Sequence, residues 1–148
     1  MWMYPVIIHF HSVLRYVALF FMLMSIINSL SGFIHKSSYT KSDSKFSLIT
    51  LSIFHTQALF GLILYFISPK VLFMHAALSS PMVRFFTMEH IGGMVTAVVL
   101  ITMGYSKAKN AATEKGHKKL VLYYFLAMLL VLASIPWPFM TSLGSKWF

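Results

Sequence analysis

The chain has 148 residues, 58% of them hydrophobic and only 10% charged, which excludes a soluble domain and predicts an integral membrane protein. It contains no cysteine, which excludes disulfides, thiolate metal sites and thioether-linked haem, so a bound metal would need His, Met or carboxylate ligands. The formal net charge is +9, but the lysines cluster in two loops, a pattern of membrane topology and not of nucleic-acid binding.

Four apolar runs cover residues 4–32, 46–68, 82–106 and 119–135, each near the roughly 20 residues that a spanning helix needs. Short connections make consecutive helices antiparallel neighbours. We therefore expect an all-α membrane protein, an up-down-up-down four-helix transmembrane bundle that forms a single domain over residues 1–148.

The first run contains His9, His11 and Arg15. His9 and His11 point to opposite sides of a helix, whereas His11 and Arg15 are four residues apart and share a face. An arginine at this depth needs an anion or water, and Glu89 is the candidate partner. For His9 we favour packing or an interfacial position.

The second run contains His55, Gln57 and Gly61, and ends at Pro69. Gln57 and Gly61 share a helical face that does not include His55. The connection between residues 69 and 81 is too apolar for a solvated loop, so we expect it to lie along the membrane interface as a short amphipathic helix.

The third run begins with Arg84, Glu89 and His90, followed by Gly92 and Gly93. Gly93 lies three residues after His90, so a flat group or another helix could approach the imidazole there. The fourth run has no histidine, and Met128 is interpreted as core filler. His35, His75 and His117 fall in loops or at interfaces, where we expect them to be solvated.

Basic residues concentrate in loops 35–45 and 107–119. By the positive-inside rule both loops are cytoplasmic, and the N- and C-termini are outside.

Depth along each helix, at a rise of about 1.5 Å per residue, places His11 about 9 Å, His90 about 13 Å and His55 about 20 Å below the outer surface. The first and third helices are diagonal in such a bundle, so His11 and His90 could face each other at a similar level and hold a haem between two imidazoles. His55 is the alternative ligand. Arg84, and also Lys70, are candidates for binding the haem propionates.

The segments HSVLRYV, HTQALFGLILYFISPKV, RFFTMEHIGGM and ASIPWPF resemble those of small four-span bacterial membrane proteins commonly labelled cytochrome B, over His11 to Phe139. More distantly, a His-containing helix with a nearby Arg, a Gln-x-x-x-Gly helix and another His-containing helix are similar to one half of haem A synthase. The resemblance implies a b-type haem, carried here onto His11 and His90, and the bacterial inner membrane. Because this chain has only one bundle, the resemblance does not imply synthase activity.

We therefore expect a b-type cytochrome that transfers electrons through one haem b, with a second haem left open. Arg15 would tune the haem, and Gly93 would give it space. We expect a subunit of a larger membrane complex or a homo-oligomer, not a self-contained enzyme, with the lipid bilayer around it and a quinone as a candidate partner. Two alternatives stay open: a cofactor-free structural or assembly subunit, and a small proton or ion transporter in which Glu89, His90 and His55 form a relay.

Overall fold

The computed structural model describes residues 3–73 and 80–143, and within those ranges it contains four long helices and no strand. Their bounds are Met3–Ile34 for α1, Lys41–Ile67 for α2, Pro81–Ala108 for α3 and Lys115–Ser134 for α4. A short 3-10 turn, Thr141–Leu143, follows α4. All four helices are long and apolar enough to cross a membrane, which confirms the predicted fold class.

The helices are arranged around a square. α1 packs beside α2 and α4, and α3 packs beside the same two helices, so α1 and α3 lie at opposite corners. This is the diagonal arrangement predicted from the short connections. We call the end where α1 begins and α2 ends the outer end, and the opposite end, with the two basic loops, the inner end.

The bundle core consists mainly of small and medium-sized side chains that recur at helical spacing. Its fully buried members include Ala18, Met22, Ala97, Ile101 and Ala127. Large apolar side chains instead cover the outside, such as Phe20, Leu59 and Leu122, which are 58%, 58% and 57% exposed. A surface of this kind is stable in contact with lipid tails, and the small core residues let the helix backbones approach closely.

Polar side chains determine where α2 and α3 begin. Thr40 and Asp43 form a reciprocal capping box, so α2 begins at Lys41, ahead of the apolar run that starts at residue 46. At α3 the Ser80 hydroxyl accepts a hydrogen bond from the Val83 amide, and Pro81 occupies the first turn. The helices therefore extend beyond the apolar runs wherever a cap supports the extra turn.

The connection between α2 and α3 was expected to form a short interfacial helix. Residues 69–73 and residue 80 are not helical. Residues 74–79, which include His75, lie outside the described residues, so the expectations about them stay predictions.

A buried hydrogen-bond network joins the helices near the inner end. The Tyr39 and Ser47 hydroxyls lie 2.8 Å apart, and the Tyr124 hydroxyl donates to the Ser47 carbonyl at 3.0 Å. Burial raises the pKa of Tyr39 above its ordinary value, so its phenol stays protonated and available for this bond. The network ties the α1–α2 loop and α4 to the first turns of α2 without placing a charge in the core.

His117 corrects one sequence prediction, because it is 2% exposed and not solvated. It is the third residue of α4, and its ring packs edge-on against Tyr39 with ring centroids 5.0 Å apart. The backbone of Gly32 lies against the same ring, and the nearest Asp43 carboxylate oxygen is 3.9 Å from the imidazole Nε2. A glycine on α1 thus makes room for an imidazole that the sequence alone assigned to a loop. His35, by contrast, is exposed as predicted.

We expect Gly32→Ala to lower the stability of the bundle by about 1–3 kcal/mol, the usual range for overpacking a filled core. A Cβ at Gly32 would lie 2.5 Å from the His117 ring. Gly92→Ala is the matched control, because a Cβ there meets no other atom within 4 Å. Thermal unfolding of both variants in detergent, followed by circular dichroism, measures the difference. Equal melting temperatures for the two variants would contradict the proposed packing of α1 against His117.

Candidate functional site

A cavity of about 720 Å³ lies in the outer half of the bundle. Its walls are the first half of α1, the second half of α2, the first half of α3 and the last turn of α4. Leu59 and Val95, both more than half exposed, also line it, so the cavity reaches the lipid-facing surface between α2 and α3. Its volume falls within the range of pockets that hold small molecules and cofactors.

His11 of α1 and His90 of α3 meet at the edge of this cavity, at the similar level that their depths predicted. Their ring centroids are 6.5 Å apart, and the ring planes are inclined at 77°. With metal–nitrogen distances of about 2 Å, as in zinc–imidazole sites, two imidazoles on opposite sides of one metal have ring centres roughly 6 Å apart. The centroid spacing of the pair is therefore close to that of two imidazoles that share one metal, although the edge of the His11 ring that carries Cε1 and Nδ1 lies against Gly61.

His90 is held in one orientation by α4. Its Nδ1 donates a hydrogen bond of 2.7 Å to the Ser134 carbonyl. Because a carbonyl can only accept, Nδ1 carries the proton, and in the neutral ring Nε2 keeps its lone pair. A ligating histidine almost always has its second nitrogen fixed in this manner. Phe85 and Phe86 pack against the ring with centroids 5.9 Å and 6.1 Å away.

The backbone around His90 departs from regular α-helix. Residues Phe85–Glu89 form a π-helical turn directly before it. Such turns are rare and occur frequently at functional sites, because they change the direction of the side chains that follow. Thr87, within the turn, accepts a hydrogen bond from the Tyr65 hydroxyl at its carbonyl and one from the Leu72 amide at its hydroxyl. The turn is thus anchored to α2 and to the segment after it.

His11 is positioned by two residues of α2. Gly61 leaves room for the ring, because a Cβ there would lie 3.1 Å from the imidazole Cε1. The Gln57 amide nitrogen donates to the His11 carbonyl at 3.0 Å and lies 3.3 Å from its Nε2. The face that Gln57 and Gly61 were predicted to share is therefore the one that receives His11.

Two polar atoms of this contact are buried without a hydrogen-bond partner in the described part of the chain, His11 Nδ1 and Gln57 Oε1. Leaving such atoms unsatisfied costs about 1–3 kcal/mol each. Both ring nitrogens of His117 at the inner end are likewise buried without a hydrogen-bond partner among the described residues, so this feature alone does not distinguish a ligand site from a packing site.

Arg15 also lines the cavity, one helical turn from His11, as their shared face predicted. Its guanidinium donates to the Tyr16 hydroxyl at 3.1 Å and lies 4.8 Å from the centre of that ring. The predicted pairing of Arg15 with Glu89 is wrong: the Glu89 carboxylate is 2.7 Å from Arg84 Nε, and both side chains are about half exposed. Glu89 finds its cation nearer the membrane surface, where burying the pair costs less.

The other predicted site residues, His55, Arg84 and Gly93, do not contact the His11–His90 pair in the way that the sequence predicted. His55 lines the inner part of the cavity, but its side chain is exposed and its Nδ1 donates to the Leu51 carbonyl at 2.9 Å. Arg84 lies at the outer end and is not among the cavity-lining residues. Gly93 faces α4, since a Cβ there would overlap the Ser134 hydroxyl. The sequence allowed either a flat group or another helix beside Gly93, and the structure places helix α4 there.

Sequence reasoning missed three groups that shape the site: the Ser134 carbonyl, the Gln57 amide and the Tyr65 hydroxyl. A backbone carbonyl has no sequence signal. The Gln57–Gly61 spacing was a signal, because a polar residue one turn before a glycine in a membrane helix indicates a close polar neighbour. It did not identify His11 as that neighbour.

The described residues contain no group of three or more His, Asp or Glu side chains placed to hold a metal ion. A pair of histidines can still suffice for an iron porphyrin, because the porphyrin supplies the remaining ligands. Comparison with protein-family models, curated proteins and solved structures finds no match for this chain.

We expect Gly93→Ala to lower the stability by about 1–3 kcal/mol, because the added methyl group would force α3 and α4 apart beside His90. The clash is mainly with the Ser134 hydroxyl, although the Ser134 Cβ is also close, at 2.9 Å. Adding Ser134→Ala removes the hydroxyl and should restore part of the lost stability. Thermal melts of both single variants and the double variant measure this coupling. If the effects of the two substitutions on stability are additive, the proposed contact between Gly93 and Ser134 is contradicted.

Proposed function

We propose that the chain is a membrane-bound b-type cytochrome in which His11 and His90 would hold one haem b. The observation that carries the proposal is the pair of imidazoles, 6.5 Å apart on diagonal helices, at the edge of a 720 Å³ cavity. The fixed Nδ1 of His90 supports it, because a ligating histidine almost always has its second ring nitrogen hydrogen-bonded.

A bound haem would supply one-electron redox chemistry. The residues of this chain would contribute ligation, orientation and shielding. Phe86 and Met94 belong to an otherwise largely apolar cavity lining that limits the access of water. Arg15, a permanent cation in the same lining, would stabilise the form of the site that carries one more electron. Together these groups suit electron transfer more than substrate conversion.

The opening of the cavity towards the lipid supports a proposal for the redox partner. The cavity reaches the lipid-facing surface beside Leu59 and Val95, so a quinone dissolved in the bilayer is the donor or acceptor that we propose. With the basic loops on the cytoplasmic side of a bacterial inner membrane, the site would lie in the outer leaflet. We also propose that the chain assembles with other membrane subunits or with further copies of itself.

The absorption spectrum tests the ligands. Full-length protein in detergent should show a low-spin b-type spectrum, and His11→Ala or His90→Ala should abolish it. His9→Ala is the matched control, because His9 lies on the exposed side of the same helix. Added imidazole should restore the spectrum of the His90 variant, which a purely structural role of His90 would not predict. Haem-free wild-type protein that folds normally and binds no added haem would refute the proposal.

The same measurement decides the role of His55. Because its Nδ1 is bonded within its own helix and its side chain is exposed, we expect His55→Ala to keep the low-spin spectrum. If the His55 variant loses that spectrum and the His11 variant retains it, His55 is the ligand and His11 is not.

Arg15→Gln should lower the midpoint potential by tens of millivolts, because it removes a positive charge that favours the reduced site; about 60 mV corresponds to a tenfold change in a one-electron equilibrium. Redox titration of the purified protein measures the shift. Arg84→Gln is the control, since Arg84 is exposed and ion-paired with Glu89 outside the cavity lining. Equal shifts in the two variants would show that Arg15 exerts no specific influence.

A further inference from the structure

One imidazole of the cavity lining is exposed at the depth of the lipid tails. His55 lies twelve residues before the end of α2, which a rise of about 1.5 Å per residue converts to about 18 Å. The hydrocarbon core of a bilayer is about 30 Å thick, so this ring lies close to the middle of the core. Its side chain is nevertheless exposed. An ionisable side chain is costly to keep at this depth, which indicates a functional contact.

The hydrogen bond that His55 makes within α2 determines what its other ring nitrogen can do. Nδ1 donates to the Leu51 carbonyl at 2.9 Å, and because a carbonyl can only accept, Nδ1 carries the proton. In the neutral ring Nε2 then has a lone pair and no hydrogen, so it accepts hydrogen bonds and does not donate them. Within residues 3–73 and 80–143, Nε2 has no hydrogen-bond partner.

The neighbouring polar side chains of α2 differ from His55 in this respect. The Ser52 and Thr56 side chains are also exposed, but each hydroxyl donates to the carbonyl four residues earlier in the same helix, at 2.9 Å. Hydroxyls bonded in this way need no partner outside their own helix. His55 therefore differs from both in having a polar atom that requires a donor from another molecule.

The opening of the cavity gives a ligand from the bilayer access to this nitrogen. Leu59 lies one helical turn beyond His55 on the same face of α2, and the cavity meets the lipid at Leu59 and at Val95 of α3. His55 and the apolar side chains of Leu62 and Val98 line the same cavity. A molecule that enters here meets an apolar wall with one hydrogen-bond acceptor. An apolar ring with a hydroxyl donor is complementary to that wall.

We propose that the opening of the cavity binds a lipid-soluble hydroquinone, whose hydroxyl donates a hydrogen bond to His55 Nε2. The oxygens of a quinone are carbonyls, which only accept, whereas those of a hydroquinone are hydroxyls, which also donate. An acceptor in the wall therefore selects the reduced form of the ring. This inference rests on the proposed function for the choice of a quinone, and it deepens that function by assigning the reduced form, which delivers electrons, to the opening.

Two probes that differ only in their hydroxyl groups test the hydrogen bond: a hydroquinone with a decyl chain, and its dimethyl ether, in which both hydroxyls are methylated. Full-length protein in nanodiscs is kept anaerobic with dithionite, so that the hydroquinone stays reduced. Binding above the level of empty nanodiscs is measured by native mass spectrometry. The wild-type protein should bind the hydroquinone about fivefold to tenfold more tightly than the ether, the usual order for one hydrogen bond.

Three variants assign this preference to the imidazole. His55→Phe keeps a flat ring but removes the acceptor, so the two probes should bind it about equally. His55→Gln has an acceptor in its carboxamide oxygen and should keep part of the preference. Thr56→Val is the matched control and should keep the wild-type ratio, because Thr56 is exposed on the same helix but does not line the cavity. An unchanged ratio in His55→Phe would overturn the proposal.

Nitrogen NMR of the wild-type protein tests the same bond should His55→Phe fail to fold. With ¹⁵N-labelled histidine, the Nε2 resonance that is missing from His55→Gln should move when the hydroquinone is added and stay in place when the ether is added. A resonance that responds to neither probe would refute the hydrogen bond. Dodecanol carries the same donor on an aliphatic chain. If it displaces the hydroquinone at equal concentration, the site recognises lipid alcohols in general and the choice of a hydroquinone is wrong.

The outcomes separate this inference from the haem proposal, because the low-spin spectrum is measured independently. Protein that shows the spectrum without a preference for the hydroquinone leaves the haem proposal standing and removes this inference. A preference without the spectrum keeps the hydroquinone site and removes its role in electron transfer. If the wild-type protein self-associates and His55→Phe is monomeric with unchanged hydroquinone binding, Nε2 contacts a second copy and the inference is wrong.

Discussion

The hydrogen bond from His90 to the Ser134 carbonyl is the interaction on which the site depends. It joins two helices, fixes the ring orientation and leaves one nitrogen directed away from α4. It requires α3 and α4 to approach closely beside His90, which Gly93 permits because it has no side chain. The same contact thus positions a polar group and determines the distance between two helices.

Similar close approaches recur at both ends of the bundle. Gly61 gives room to His11 at the outer end, and Gly32 gives room to His117 at the inner end. In each case an imidazole from one helix rests on the backbone of another. Burial of apolar surface contributes little to helix association in a membrane, because lipid tails are as apolar as the side chains. Close packing and polar contacts of this kind therefore hold the helices together.

The two ends nevertheless differ in what their imidazoles adjoin. His117 is enclosed by Tyr39 and Gly32, with a carboxylate nearby, and it serves to pack the inner end. His11 and His90 adjoin a cavity whose described lining is largely apolar and includes the cation Arg15. Histidine side chains therefore have a structural role at the inner end and, in our proposal, a ligating role at the outer end.

The proposed function combines these features. A pair of imidazoles on diagonal helices and a largely apolar cavity that reaches the lipid surface suit the planar redox cofactor that we propose.

The sequence by itself determined the four helices, their antiparallel order and the similar depths of His11 and His90, because apolar run length, short connections and helical rise depend only on local chain geometry. It did not determine the partners of the polar groups. Glu89 pairs with Arg84 and not with Arg15, and His117 is buried and not solvated. Only the tertiary structure decided these, because helix rotation and the close approach at Gly32, Gly61 and Gly93 select which side chains meet.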